Sequence, residues 1–383
     1  MNQLAVQPDR RWVVYWMTAF RRTRSNYALQ FARDLAKQFD RPLIVLEALR
    51  VGYRWASNRF HRFIIEGMLD NQAACSKSGV LYYPYVEPRS GDGSGLVLAK
   101  QTPHARVWCS TPTWPNHNSI FESAGLETKA YPYLSDDRKS LDFAAMFELL
   151  EREGRAGDVL LLHACCHNPT GIDPTTEQWS ELAELAGQRG MLPLIDFAYH
   201  GFGDGLDEDR RAIAEISKHH AEFFVCSSYS KNFGLYSERV GALLAVCPDH
   251  SIAQRLASNI KVSVRSNYSN PPRHGGAIVA EILGDAQLRE QWLVELAQMR
   301  GRIHSMRTQF VEAMKQSGCA VDFSFLLGQR GMFSYSGLTP MQVDWLRTQK
   351  GIYIVGSGRI NVAGITTSNM ATLTNAIAEA LRT

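Results

Sequence analysis

The sequence has no C-x-x-C pair, no run of 18 apolar residues, no internal repeat and no tract of low complexity. The first absence, with an odd seven cysteines (75, 109, 165, 166, 226, 247 and 319), speaks against a disulfide framework and against a zinc site, so no metal is expected. The second leaves nothing to span a membrane as a helix. The last two exclude solenoids and fibres. Residues 1–24 carry Arg10, Arg11, Arg21, Arg22 and Arg24 around a short apolar stretch. No small-residue cleavage site follows it, which argues against a signal peptide and makes the cytoplasm the expected compartment.

What is present is globular. The chain has 383 residues, 45% hydrophobic and 21% charged, enough for two or three domains with proper cores. The net charge of +3 hides an asymmetry. Residues 1–95 hold 14 Lys and Arg against 8 Asp and Glu, and only Lys37 and Lys77 are lysines. The remainder holds 27 against 30. A basic segment of this kind suits a nucleic-acid partner or simply a solvated surface.

Apolar periodicity gives an alternation of strands and helices. Strands are predicted at 12–17, 43–49 and 80–86, with helices at 25–38 and 56–76 between them, the opening of a parallel sheet. Pro88 to Gly95 is rich in breakers and marks a boundary. Beyond it, strands are predicted at 106–109, 128–131, 159–163, 192–197, 223–227 and 240–246. Helices are predicted at 142–153 and 176–189, with a long helical stretch at 274–317 interrupted near Gly284-Asp285. The last 60 residues alternate short strands and helices.

Three kinds of group stand out after the boundary. Lys231 follows an apolar strand, among Ser228, Tyr229, Ser230 and Asn232; a lysine at the end of a buried strand is a candidate amine nucleophile. Asp196 closes the strand Leu192-Pro193-Leu194-Ile195, where ligands of α/β sheets bind, with Tyr199 three residues on. As a lone residue it reads equally well as a helix cap. Arg239, Arg265 and Arg359 sit in turn-like contexts and suit forked recognition of carboxylate or phosphate. Taken singly, the lysine is more often a surface lysine and each arginine more often a surface salt bridge.

Their order is more specific. Thr113-Trp114-Pro115-Asn116-His117, Cys166-His167-Asn168-Pro169-Thr170-Gly171, Asp196-Phe197-Ala198-Tyr199, Ser228-Tyr229-Ser230-Lys231-Asn232-Phe233-Gly234-Leu235-Tyr236 and Asn361-Val362-Ala363-Gly364 together resemble class I, fold-type I aminotransferases of the aspartate and aromatic amino-acid group, over residues 98–383. The resemblance implies an α/β fold: a three-layer α/β/α large domain with a smaller C-terminal α+β domain. It implies pyridoxal phosphate as cofactor, amino acids and 2-oxo acids as substrates, and a homodimer. Lys231 would form the Schiff base and shuttle the proton. Asp196 would keep the pyridine nitrogen protonated, with His117 and His163 behind it. Asn168 and Tyr199 would meet the ring oxygen, Trp114 would stack on the ring, and Ser228 and Arg239 would hold the phosphate. Lys231, Asp196 and Tyr199 are the catalytic set. Arg359 would clamp the α-carboxylate of the substrate, with Asn168 and Phe333 (and Tyr335 near it) at the substrate. Arg265, from the partner subunit, would clamp a distal carboxylate.

The resemblance also implies about 100 more residues before Trp114 than the match supplies. Among them is a Gly-rich loop that opens a phosphate-cradling helix. Asp92-Gly93-Ser94-Gly95 has a similar look, but only Leu96 to Lys100 follow. Residues 1–95 instead resemble the first part of the N-terminal Rossmann-like domain of a DNA photolyase, through Val13-Val14-Tyr15-Trp16-Met17, Arg21 to Leu29, Arg54-Trp55-Ala56-Ser57 and Tyr82 to Pro88. The flavin-binding helical domain of that family is absent, so neither repair nor flavin binding is expected. The chain thus reads as a chimera of three parts: 1–95, an N-terminally truncated large domain at 96–298, and a small domain at 299–383. The function the aminotransferase resemblance implies is transamination between a dicarboxylic (aspartate or glutamate) or aromatic amino acid and a 2-oxo acid through Lys231, with an inactive fusion or a photolyase-related DNA- or light-associated module as the alternatives. Nucleic acid is an improbable partner and a membrane is not expected.

Overall fold

A computed structural model of the chain describes residues 13–17, 21–24, 26–49, 58–76, 81–86, 104–267 and 271–382. The chain divides at 94/95 into two units. The breaker-rich stretch at 88–95, the segment Leu96 to Lys100 and Arg54 to Ser57 lie outside the described residues.

In the first unit, β1 (Val13–Met17), β2 (Leu43–Leu49) and β3 (Leu81–Val86) form a parallel sheet in that order. Helices α1 (Tyr27–Gln38) and α2 (Asn58–Ser76) cross between them. Asn26 caps α1, its side chain accepting from the Leu29 N–H at 3.0 Å. Ala32 and Ala36 on α1 pack on Met17, Leu43 and Val45 of the sheet and on Met68 and Cys75 of α2. Glu47 is buried here, and accepts from Asn71 Nδ2 at 2.9 Å and from Arg21 at 3.3 Å.

In the second unit a six-stranded sheet is the frame. Its strands are β4 (Arg106–Thr111), β5 (Glu127–Pro132), β6 (Val159–His163), β7 (Leu192–Phe197), β8 (Phe223–Ser228) and β9 (Gly241–Val246), in the order β5-β4-β6-β7-β8-β9. All pairs are parallel except β8 with β9. β6 is buried along its whole length, as its unbroken apolar run requires of a strand covered on both faces. Pro193 lies in β7 just ahead of its pairing with β8, which begins at Leu194, so its missing N–H breaks no bond of that ladder.

The helices between the strands are α3 (Asn116–Ser123), α4 (Phe143–Glu153), α5 (Thr176–Gln188) and α6 (Arg211–His219). Thr175 and Gln178 form a reciprocal capping box at the start of α5. Its buried face, Trp179, Leu182, Ala183, Leu185 and Ala186, joins the main core. After β9 come α7 (His250–Asn267), α8 (Arg273–Gly284) and α9 (Ala286–Gln316). The helical stretch breaks where the sequence said it would: Asp285 caps α9, accepting from the Leu288 N–H at 2.8 Å. A two-stranded antiparallel ribbon of β10 (Phe333–Tyr335) and β11 (Arg359–Asn361) follows, with α10 (Pro340–Lys350) and α11 (Met370–Ala380). This region shares one continuous core with the sheet and α9, through Phe310, Met314, Leu346, Ile360 and Ile377.

Candidate active site

The singled-out residues converge at the carboxyl ends of the parallel strands, the usual ligand edge of such sheets. Trp114 and His117 follow β4, Asn168 follows β6, Asp196 is next to last in β7 with Tyr199 just after the strand, and Ser228 closes β8 with Lys231 after it. Together with Arg239, Phe333 and Arg359 they line a cavity of about 680 Å³. Ten widely separated positions of the sequence thus meet in one place. Arg265 does not join them: it is exposed on α7 and lines no part of this cavity. Tyr335 is buried in β10 beside it.

Strand register builds the acidic end. His163 on β6 stands opposite Asp196 on β7. His117 Nε2 lies 3.1 Å from Asp196 Oδ2, and its Nδ1 lies 2.9 Å from Thr113 Oγ1. His163 Nε2 lies 3.8 Å from the same carboxylate and has no hydrogen-bond partner among the described residues. Burial pushes the Asp196 carboxyl up, but the His117 hydrogen bond and the nearby charges outweigh this, and it lies below the ordinary carboxylate range. Asp196 is therefore a half-buried anion, and not the helix cap that a lone Asp here suggests. His163 is pushed down to about 4 by burial and is neutral at neutral pH. Behind it His167 bonds Ser110 and Thr170 and stacks on Tyr133 at 3.7 Å.

Lys231 sits with Nζ 4.7 Å from the centre of the Tyr199 ring. No acid lies within ion-pair distance of it among the described residues. Burial lowers its pKa; Asp196 opposes that shift and Arg239 adds to it. A lysine of this kind is more often a free amine than one in water, which is what a nucleophile requires. Asn168 Nδ2 donates to Tyr199 Oη at 3.4 Å, and Arg359 donates to Asn168 Oδ1 at 3.1 Å. The Arg359 guanidinium stacks over Phe333 at 4.4 Å and has no acidic partner among the described residues, so it is open to a carboxylate from outside. At the opposite end Arg239 is exposed, donates to the Tyr236 carbonyl at 3.1 Å and takes a left-handed φ of 52°.

Other residues line the cavity without having been given a role from the sequence: Ala198, Ser230, Tyr236, Cys226 and Leu243. Ala198 offers no chemical signal at all. Tyr236 and Ser230 lie in the same tract as Lys231, but only the turn after β8 shows that they face the same space.

The profile of the family "Aminotransferase class I and II" matches residues 91–377. The chain belongs to this family. It is 54% identical over 284 residues to an aspartate aminotransferase of Salmonella typhi, covering 74% of this chain and 72% of the relative. It is 46% identical over 286 residues to an aromatic-amino-acid aminotransferase of Pseudomonas aeruginosa, covering 75% and 71%. Among solved structures, an aromatic-amino-acid aminotransferase from Burkholderia pseudomallei, covalently bound to pyridoxal phosphate, superposes with a TM-score of 0.73 at 46% identity, covering 74% of this chain and 71% of that one. These matches leave about a quarter of this aminotransferase chain uncovered, and the family profile begins at 91.

Proposed function

We propose that the chain is a pyridoxal phosphate-dependent aminotransferase that moves the amino group of a dicarboxylic or aromatic amino acid to a 2-oxo acid. The observation that carries this is the pairing, in one cavity, of a half-buried anion and a desolvated lysine that are not ion-paired to each other. A lone structural pair would have collapsed into a salt bridge. Here the space between them suits a flat ring, with an amine at one side and a carboxylate at the other.

When bound, pyridoxal phosphate supplies an aldehyde for amines and a protonated ring that delocalises the electron pair left on the substrate α-carbon. Lys231 Nζ would hold the aldehyde carbon and, once displaced by a substrate amine, would take up and return the proton at the α-carbon. Asp196 Oδ2 would hold the proton of the ring nitrogen, kept anionic by His117. Tyr199 and Asn168 would meet the ring oxygen, and Trp114 would cover a ring face. Ser228 and Arg239 would take the phosphate. Arg359 would bind the α-carboxylate beside Phe333 and Asn168. Arg265 does not line this cavity, so its reading as the clamp for a distal carboxylate requires a second copy, and the homodimer is part of the proposal.

The region 299–383 is taken as the small domain, with α9 as the helix that joins it to the sheet. The cytoplasm is the compartment this reading expects; no helix among the described residues is long and apolar enough to cross a membrane. For residues 1–95 the likeness to a photolyase segment rests on sequence motifs alone, and no chemistry is assigned to them.

The test is borohydride reduction after addition of pyridoxal phosphate to the full chain. The expected result is a stable adduct on a peptide that contains Lys231, absent from Lys231→Ala. No adduct in the wild type, or an equal adduct in Lys231→Ala, overturns the reading.

A further inference from the structure

Asn168 bridges two functional side chains and sits in a turn whose side chains His167 and Thr170 bond each other, while the backbone ahead of Asn168 needs partners of its own. Cys166 takes a left-handed φ of 54°, which is unfavourable for a residue with a Cβ. The turn closes with the Gly171 N–H on the His167 carbonyl at 2.7 Å. The backbone N–H groups of Cys166 and His167 point the other way, and both residues are buried. One side chain takes both: Asp173 Oδ2 accepts from Cys166 N at 2.7 Å, and Asp173 Oδ1 accepts from His167 N at 2.8 Å. Asp173 forms no ion pair among the described residues. The nearest arginine, Arg330, spends its side chain on Asp204, while its own N–H donates to the Gly171 carbonyl at 2.6 Å. The same turn therefore also supports the segment that leads to Phe333. Gly171 and Gly331 have no room for a Cβ at this contact, against Phe333 and Cys166 respectively.

We infer that Asp173 is a positioning residue for transamination, its two oxygens holding the Cys166–His167 backbone so that the next side chain, Asn168, meets Tyr199 and Arg359. The inference rests on the function proposed above for its catalytic meaning, but not for its structural content. No neutral side chain of the same size can replace it. An amide accepts one N–H and turns its own NH₂ against the other, leaving a buried donor without a partner. A displacement of about 1 Å at a positioning group costs on the order of 100-fold in rate.

The test joins hydrogen exchange to kinetics on the full chain. Asp173→Asn is expected to speed amide exchange across residues 164–171 by about 10-fold or more, with β6 unchanged. Unchanged exchange in 164–171 overturns the clamp. With cofactor, Asp173→Asn is expected to lower kcat/KM for aspartate by about 10- to 100-fold, mainly through KM because Asn168 orients Arg359. The double variant Asn168→Ala/Asp173→Asn should fall within about two-fold of Asn168→Ala alone, since both remove the same contact. Losses that multiply place the effect elsewhere and overturn the inference. Asp173→Glu, which keeps the charge but moves the oxygens, should show the same losses; near-wild-type behaviour would mean that charge alone matters. If the wild type does not transaminate, the function proposal fails while the exchange result still decides the clamp.

Discussion

At the scale of single residues, the site holds neighbouring groups in different charge states, one anionic and one neutral. Asp196 is charged because His117 bonds it; His163, one strand away, is neutral because burial removes its hydration. This makes a prediction about pH. The folded pKa of His163 is depressed to about 4 from an ordinary 6.5, so between those values the unfolded chain binds more protons. Its contribution to stability, about 3 kcal/mol, is present above pH 6.5 and is lost as pH falls toward 4. Asp173 acts in the opposite sense over part of the same range, because burial raises its carboxyl to about 6. Urea unfolding at about pH 7 and about pH 5 should show a steeper loss in the wild type than in His163→Leu; equal slopes would refute the assignment. Residue types were legible here: Lys231, Asp196 and Arg359 announced themselves by their chemistry and order. Charge states were not, because desolvation depends on neighbours 33 residues away along the chain.

At the scale of elements, β9 is the weak point. Its sequence, Gly-Ala-Leu-Leu-Ala-Val, carries no charge and no proline. Among the described residues it pairs only with β8, at the end of the sheet order. Leu243, Leu244 and Val246 are each 40–51% exposed. Natural edge strands are guarded by charges, bulges or cover, and an unguarded one recruits another strand. We expect the full chain to associate in a concentration-dependent way and Leu244→Lys, on a side chain that does not line the cavity, to reduce this. Light scattering after gel filtration measures it; unchanged association in the variant would clear the edge. The strand itself was readable from its apolar run, but its antiparallel direction and edge position were not. Short apolar runs look alike wherever they stand in a sheet. Helix ends were easier, since Asn26, Asp142, Thr175 and Asp285 cap by contacts three residues away.

At the scale of the whole molecule, the charge split near residue 95 coincides with the division into two units, and the family match lies almost entirely in the second. Ligand linkage follows: pyridoxal phosphate at 100 times its Kd should stabilise the site-bearing unit by about 2.7 kcal/mol. Hydrogen exchange should place the protection within residues 95–383, and Lys231→Ala should diminish it; protection confined to residues 1–94 would contradict the site. The sequence by itself determined the fold class, the family and the reactive residue types, because periodicity and motif order are local properties of the chain. Only the tertiary structure decided that Arg265 stands apart from its own cavity, that Asp173 grips the Asn168 turn, and that His163 is neutral beside an ionised Asp196. Distance, burial and hydrogen-bond geometry arise when strands far apart in sequence come into register, and no single segment carries them.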